Sequence, residues 1–247
     1  SLARPSFGDS AFRSRLNSDD QEITRGNPNL EALEAMNWDA SVEYYLPSLG
    51  VISAAVFQKD IKNFSYEYTE TAPVLIAGVP YELSTFANGS EGKISGLELA
   101  YQQQLGMLPA PFDGLGFMAN ATFLDSEATY PTRPGEEVPF IGQSDITGNL
   151  GLTYEKAGFF MRLALNFRTE RLREDEPLGA SAPQDLYVDD FKQLDLTLRY
   201  KLTKQWEVYG EVMNLTDEPF RVFLKTGGLA DVAAALTRAD RALYRAK

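Results

Sequence analysis

The sequence predicts an all-β chain: an antiparallel, up-and-down transmembrane β-barrel segment of about eight or nine strands, incomplete and open, followed by one C-terminal α-helix. Three observations predict it. Apolar and polar residues alternate in segment after segment from Met36 to Phe223, and a period of two places successive side chains on opposite faces of a strand. The connections alternate short and long, which sends the tight turns of an antiparallel sheet to one end and the long loops to the other. The chain also carries 15 Phe, 12 Tyr and 2 Trp, many near predicted strand ends, where a membrane barrel has its aromatic girdles.

Eight main strands are expected near 35–46, 51–68, 92–108, 115–127, 145–155, 159–170, 191–202 and 206–216, with an earlier one represented by Ser1–Phe12. The first pair is Asn37–Tyr44, a turn at Pro47-Ser48-Leu49-Gly50, and the return from Val51. The other tight connections are Pro109–Gly114, Lys156–Gly158 and Thr203–Gln205; the long ones are Thr69–Glu91, Ala128–Gln143 and Glu170–Phe191. Long connections at every second position are not required by a soluble sandwich, and loops of this length are usually functional.

Composition narrows the class. No apolar run approaches the roughly 20 residues of a membrane-spanning helix, whereas a barrel strand needs only about 9–11. The formal net charge of −12 argues against nucleic acid as a partner. Cysteine and histidine are both absent, which removes disulfides, thiolate and imidazole ligands and His-based catalysis together. Neither a catalytic constellation nor a cofactor site is expected. Gly114-Leu115-Gly116-Phe117-Met118-Ala119 fits GxGxxA, but a strand follows it where a dinucleotide site needs a helix. The acidic runs Glu136-Glu137, Glu174-Asp175-Glu176 and Asp189-Asp190 have no coordinating-loop pattern and read as solvated charge.

Charge and pattern assign faces. Thr69–Glu91 holds three acids and no base, Ala128–Gln143 two acids and one base, and Glu170–Phe191 seven acids and two bases. The loop end is therefore acidic, with Arg133, Arg171 and Arg173 as exceptions able to contact an anionic ligand. Within the strands, Leu150, Leu152, Leu163, Leu165, Leu196 and Leu198 fall on one face, and Asn149, Arg162, Arg168, Asp195 and Arg199 on the other. An arginine at the lipid midplane costs about 2–4 kcal/mol, so the second set is expected to face a lumen or water. In Trp206–Leu215 the phase that puts Val208 and Val212 outside also puts Asn214 outside, unless a bulge intervenes. A soluble antiparallel sheet produces the same alternation.

Specific words carry more than periodicity. Gly26-Asn27-Pro28-Asn29-Leu30, followed by Glu34-Ala35-Met36-Asn37-Trp38-Asp39-Ala40-Ser41-Val42-Glu43-Tyr44-Tyr45, resembles the mid-barrel signature of TonB-dependent outer-membrane receptors. Val56-Phe57-Gln58-Lys59-Asp60-Ile61-Lys62-Asn63-Phe64 is similar to that family's next strand, Gly92-Lys93-Ile94-Ser95-Gly96-Leu97-Glu98-Leu99 to a later strand start, and Asn214-Leu215-Thr216-Asp217 to a word near the barrel's end. Four words in order, over roughly residues 1–224, are far more specific than any one of them.

The resemblance implies a portion of a 22-stranded barrel in the bacterial cell outer membrane, surrounded by outer-membrane lipid. In the family the barrel is closed by a plug domain that contacts TonB, and it takes up a ferric siderophore, cobalamin or an oligosaccharide. The plug, the TonB box, the first half of the barrel and the aromatic-ended last strand have no counterpart here, so this stretch alone is not expected to transport. Residues 225–247 have a separate character: Leu229, Val232, Ala233, Leu236, Ala239 and Leu243 share one helical face. Ala239-Asp240-Arg241-Ala242-Leu243-Tyr244-Arg245-Ala246-Lys247 resembles the closing helix of diguanylate cyclase (GGDEF) domains, whose catalytic loop has no counterpart. Two other classes stay open: a soluble antiparallel β-sheet ligand-binding module, and a diguanylate cyclase remnant. Detergent dependence separates the first from a membrane barrel; nucleotide turnover tests the second.

Overall fold

A computed structural model describes residues 1–136, 138–173, 178 and 185–224. The expected helix Leu229–Lys247 and the run Glu174-Asp175-Glu176 lie outside the described residues. The strands are, in chain order, β1 (Leu2–Ala3), β2 (Ser14–Asn17), β3 (Glu22–Arg25), β4 (Leu33–Leu46), β5 (Gly50–Lys62), β6 (Ser65–Thr69), β7 (Val74–Ile76), β8 (Val79–Asn88), β9 (Glu91–Gln104), β10 (Leu115–Ala128), β11 (Ile146–Lys156), β12 (Phe159–Arg168), β13 (Arg171–Leu172), β14 (Leu186–Val188), β15 (Phe191–Lys201), β16 (Glu207–Val212) and β17 (Val222–Leu224). A single helical turn, α1, spans Phe7–Ser10, capped by the Ser6 hydroxyl on the Asp9 N–H.

Nine strands form the main sheet in the order β1-β4-β5-β9-β10-β11-β12-β15-β16, every neighbouring pair antiparallel. The eight expected strands are all present, and the early one is reduced to Leu2 and Ala3. Two expectations on extent are corrected. The segment 51–68 is two strands, because Asn63 adopts φ 56° and turns the chain out of the ladder before β6. The strand near 92–108 ends at Gln104, after which the chain turns. A third concerns Asn214: β16 stops at Val212, so no bulge is needed.

Asn214 instead ends the strand. Its backbone has φ 53°, its N–H donates to Asp195 Oδ1 (2.8 Å), and its side chain exchanges hydrogen bonds with the backbone of Glu218 (3.0 and 2.8 Å). An asparagine tolerates this left-handed conformation and mimics a turn.

The four tight turns share one rim, as the short–long alternation requires. Gln104 N–H donates to Leu49 O (3.2 Å), Tyr154 OH to Pro111 O (3.0 Å) and Lys201 N–H to Gly158 O (2.9 Å). Lys156 is paired with Asp113, and its hydrogen bond holds that carboxyl below the usual range.

The long connections at the other end carry strands of their own. One smaller sheet has the order β2-β3-β8-β6, with β7 paired to β8; another has the order β13-β14-β17. A core of Phe64, Tyr66, Ala128, Tyr130, Val138, Leu172, Leu178 and Tyr187 lies between them. Among the described residues, every buried apolar side chain belongs to this loop cap except Ala128, the last residue of β10. The main sheet has no comparable core.

Cross-strand register shows where glycine is required. A Cβ on Gly96 would lie 2.5 Å from Phe57 Cζ and 2.9 Å from Phe123 O, whereas one on Gly151 meets only the Met118 side chain, at 2.5 Å from Cγ. Phe57 opposes Gly96 directly in the β5–β9 ladder, so its ring covers the strand where a side chain is lacking. Gly96→Ala is predicted to destabilise the sheet by about 1–3 kcal/mol. Gly151→Ala should cost about 1 kcal/mol or less, because Met118 can rotate away. Denaturant midpoints in lipid vesicles check the contrast; equal shifts for the two variants would contradict it.

Candidate functional site

Cross-strand register assigns each side chain of the main sheet to a face, since directly opposed residues point the same way. One face carries Val42, Tyr44, Ile52, Val56, Leu97, Leu99, Phe123, Leu150, Leu152, Leu163, Leu165, Leu196, Leu198, Tyr200, Val208 and Val212. Many are exposed, from 65 % at Val42 to 36 % at Leu97. A continuous exposed apolar surface across eight strands far exceeds what a soluble monomer shows. Aromatic side chains mark its turn-side margin, where Tyr101 meets Phe117 (5.9 Å between centroids) and Tyr154 meets Phe159 (6.1 Å).

The opposite face is polar, and the register places Asn149, Arg162, Arg168, Asp195 and Arg199 together on it. Asn149 lies opposite Asn120 and Asn166, Arg162 opposite Thr153 and Thr197, Arg168 opposite Thr147, Asp195 opposite Ala164, and Arg199 opposite Phe160 and Tyr209. Asn149 Nδ2 donates to Asn120 Oδ1 (2.8 Å), and Asp195 Oδ1 accepts from Gln193 Nε2 (2.8 Å). The guanidinium carbon of Arg199 stands 4.4 Å from the Phe160 ring centroid, and that of Arg168 5.1 Å from Phe191. These are cation–π distances. Asp39, Glu43 and Glu98 occupy the same face toward β4 and β9, so its charge runs from acidic there to basic on β12 and β15.

The cap closes over the loop end of this polar face. Leu33 and Ile61, which pack on the cap core, stand in its columns, as does Gly92, over which the Phe140 ring lies. Tyr66 and Tyr130 meet edge to face at 4.7 Å, and Phe64 meets Tyr130 at 5.4 Å. Both phenols are raised above their ordinary pKa by burial; Tyr130 donates to Pro139 O (3.2 Å), and Tyr66 shares a hydrogen bond with the Thr132 hydroxyl (2.8 Å).

The three loop arginines are held within this cap. Arg133 Nη1 donates to both oxygens of Asp185 (2.8 and 2.6 Å), its Nε donates to Glu136 (2.9 Å), and the Arg133 and Asp185 side chains are each 2 % exposed. Burial alone would lower the arginine's pKa; the two carboxylates outweigh it and raise it. Arg171 Nη1 donates to Gly142 O (3.0 Å), and Arg173 is buried. Leu178 exchanges backbone hydrogen bonds with Glu67 and Thr69 (2.8 and 3.0 Å), joining a third loop. Sequence reasoning found Arg133 but not its partner Asp185, 52 positions away; only the Arg133–Glu136 spacing was visible. Among the described residues, no cluster of acids has the arrangement of a metal site.

The comparisons agree with this geometry. The model of the TonB dependent receptor-like β-barrel family matches residues 1–215, and the chain belongs to that family. Similar folds occur in the copper transporter OprC (13% identity, TM-score 0.62, 94% of this chain and 32% of that one) and the ferric citrate transporter FecA (16%, 0.56, 78% and 28%). The siderophore receptor PirA from Acinetobacter baumannii is another (14%, 0.54, 79% and 29%). The chain thus spans about a third or less of each of these proteins. No curated protein sequence matches it.

Arg133→Ala would strand Asp185 as a buried, unpaired charge, and is predicted to cost about 3–5 kcal/mol within the cap. Hydrogen exchange should rise at Tyr66, Tyr130 and Tyr187 while the β11–β12 ladder stays protected. Arg133→Leu with Asp185→Leu should be milder. Unchanged exchange in the single variant would remove the ion pair from its fastening role.

Proposed function

We propose that this chain forms part of the barrel wall of an outer-membrane active receptor that takes up a scarce nutrient with TonB-coupled energy. The segregation of one apolar and one polar face across eight strands carries this reading, supported by membership of the family. The apolar face meets outer-membrane lipid. The polar face lines the lumen, where Asn149, Arg162, Arg168, Asp195 and Arg199 meet either a plug domain or the passing ligand. The similar proteins are named for copper, ferric citrate and siderophores; a small metal chelate, cobalamin or an oligosaccharide is the corresponding cargo class here. The wall by itself does not transport, because energy from TonB reaches a ligand through a plug and not through strands. For Arg133, Arg171 and Arg173 the role favoured by their contacts is holding the cap together, and direct ligand contact would require the cap to open.

Two measurements test this. The chain has no cysteine, so Leu152→Cys and Arg162→Cys give single labelling sites within this segment of a receptor whose remainder is cysteine-free. A membrane-impermeant maleimide should modify position 162 and spare position 152; the reverse pattern would exchange the faces. In a strain lacking its own receptor, such a protein should support TonB-dependent uptake and residues 1–247 alone should not. Uptake by residues 1–247 alone would overturn the reading of an isolated wall.

A further inference from the structure

The apolar face ends abruptly on the loop side, and the residues beyond that boundary are charged. The row Val56–Leu97–Phe123 is the last apolar one on β5, β9 and β10. The next rows on the same face are Gln58–Ser95–Asp125, then Asp60–Lys93–Glu127, then Lys62–Glu91. Trp38 and Met36, opposite Gln58 and Asp60 on β4, are 66 % and 61 % exposed and stand beside this boundary. The change from acyl-compatible to charged side chains within one column marks the level of lipid headgroups, where exposed tryptophan is also favoured.

A cavity of about 670 Å³ lies on these rows. Asp60, Lys62, Glu91, Lys93, Asp125 and Glu127 line it, and Glu136, Val138 and Pro139 of the following loop bound it. Val138 is bridged to Ala128, so the loop adds a side wall at the edge of β10 beyond its pairing with β11. Five carboxylates, of which Glu136 is already paired with Arg133, and two ammonium groups therefore surround a niche on the rows directly above the lipid-facing columns. Among the described residues, no ion pair joins Lys93 to Asp60 or Glu127, its opposed neighbours.

We propose that this niche binds a lipid headgroup carrying a primary ammonium next to a phosphate, of the phosphoethanolamine type. The inference rests on the outer-membrane reading of the apolar face. Lys62 and Lys93 receive the phosphate as charge-assisted donors, and Asp60, Asp125 and Glu127 receive the ammonium. The acyl chains then run down the Val56, Leu97 and Phe123 columns, continuous with the lipid-facing surface. The excess of carboxylates selects against a headgroup that is purely anionic, and a quaternary ammonium has no N–H to donate to them. Either a glycerophospholipid or a phosphorylated glycolipid can supply this chemistry.

The test reconstitutes a receptor containing this segment into vesicles of equal parts phosphatidylethanolamine, phosphatidylcholine and phosphatidylglycerol, and identifies the lipids that remain bound after detergent extraction by native mass spectrometry. Several-fold enrichment of phosphatidylethanolamine over both others is expected. Asp60→Asn with Glu127→Gln should abolish it, Lys93→Gln should weaken it, and Asn149→Ala on the opposite face should leave it intact. A second arm, in phosphatidylcholine with lipid A that does or does not bear phosphoethanolamine, separates the glycolipid source from the glycerophospholipid. β-Content by circular dichroism confirms that each variant has folded. Absence of headgroup preference in both arms, preference for phosphatidylglycerol, or full retention in the Asp60/Glu127 variant would overturn the site. Loss of all lipid retention, with impermeant label reaching position 152, would instead overturn the membrane reading on which it rests.

Discussion

A peptide group inside a bilayer has no water to bond, and the rest of this structure depends on that constraint. Each unsatisfied N–H or C=O in hydrocarbon costs several kcal/mol, which leaves closed ladders of strands as the β solution. β5, β9, β10, β11, β12 and β15 are accordingly paired on both sides in unbroken antiparallel register. With the backbone satisfied between neighbours, side chains are free to follow the solvent on each face. The same ladder explains why the wall has to be part of a barrel: β4 is paired over its length with β5 but meets β1 at only Glu34 and Leu33. Exposed strand edges are unfavourable in water and more so in lipid.

The cap obeys the opposite logic. Water surrounds the loops, so their stability comes from excluding it. Phe64, Tyr66, Tyr130, Val138, Leu172 and Tyr187 come from three different connections and form one buried cluster, with the Arg133–Asp185 pair fixing two of the three. A set of long loops with its own core and its own short sheets is one preformed unit rather than a set of independent tethers. The cap and the main sheet meet at Leu33, Ile61 and Gly92, all in polar-face columns, which directs the cap core over the polar face.

The sheet was largely legible in the sequence and the cap was not, for physical reasons. A period of two is written locally, so the faces of Leu150, Leu163 and Leu196, or of Arg162 and Arg199, follow from neighbours one and two positions away. Strand ends depend on single backbone conformations. Asn63 leaves the ladder with a positive φ inside an apolar run, and Asn214 closes β16 through Asp195, a partner on another strand. The short cap strands pair over long separations, as β3 does with β8 and β14 with β17. Nothing in the neighbourhood of Arg133 encodes Asp185. The loop arginines looked available to a ligand because their charges stood out from an acidic background, while the carboxylates that engage Arg133 are part of that background.

Tryptophan fluorescence tests the lipid-facing assignment most directly, because the chain's two tryptophans mark opposite margins of the apolar face. Trp38 lies beside the last apolar row on the loop side, and Trp206 lies on the turn side in phase with Val208. In vesicles of brominated phospholipid, each single-tryptophan variant should be quenched strongly by bromines near the headgroup end of the acyl chain, less by bromines near the bilayer centre, and weakly by aqueous iodide. Strong iodide quenching of both, with no effect of brominated lipid, would show the apolar face in water or against protein and would contradict a membrane-spanning wall.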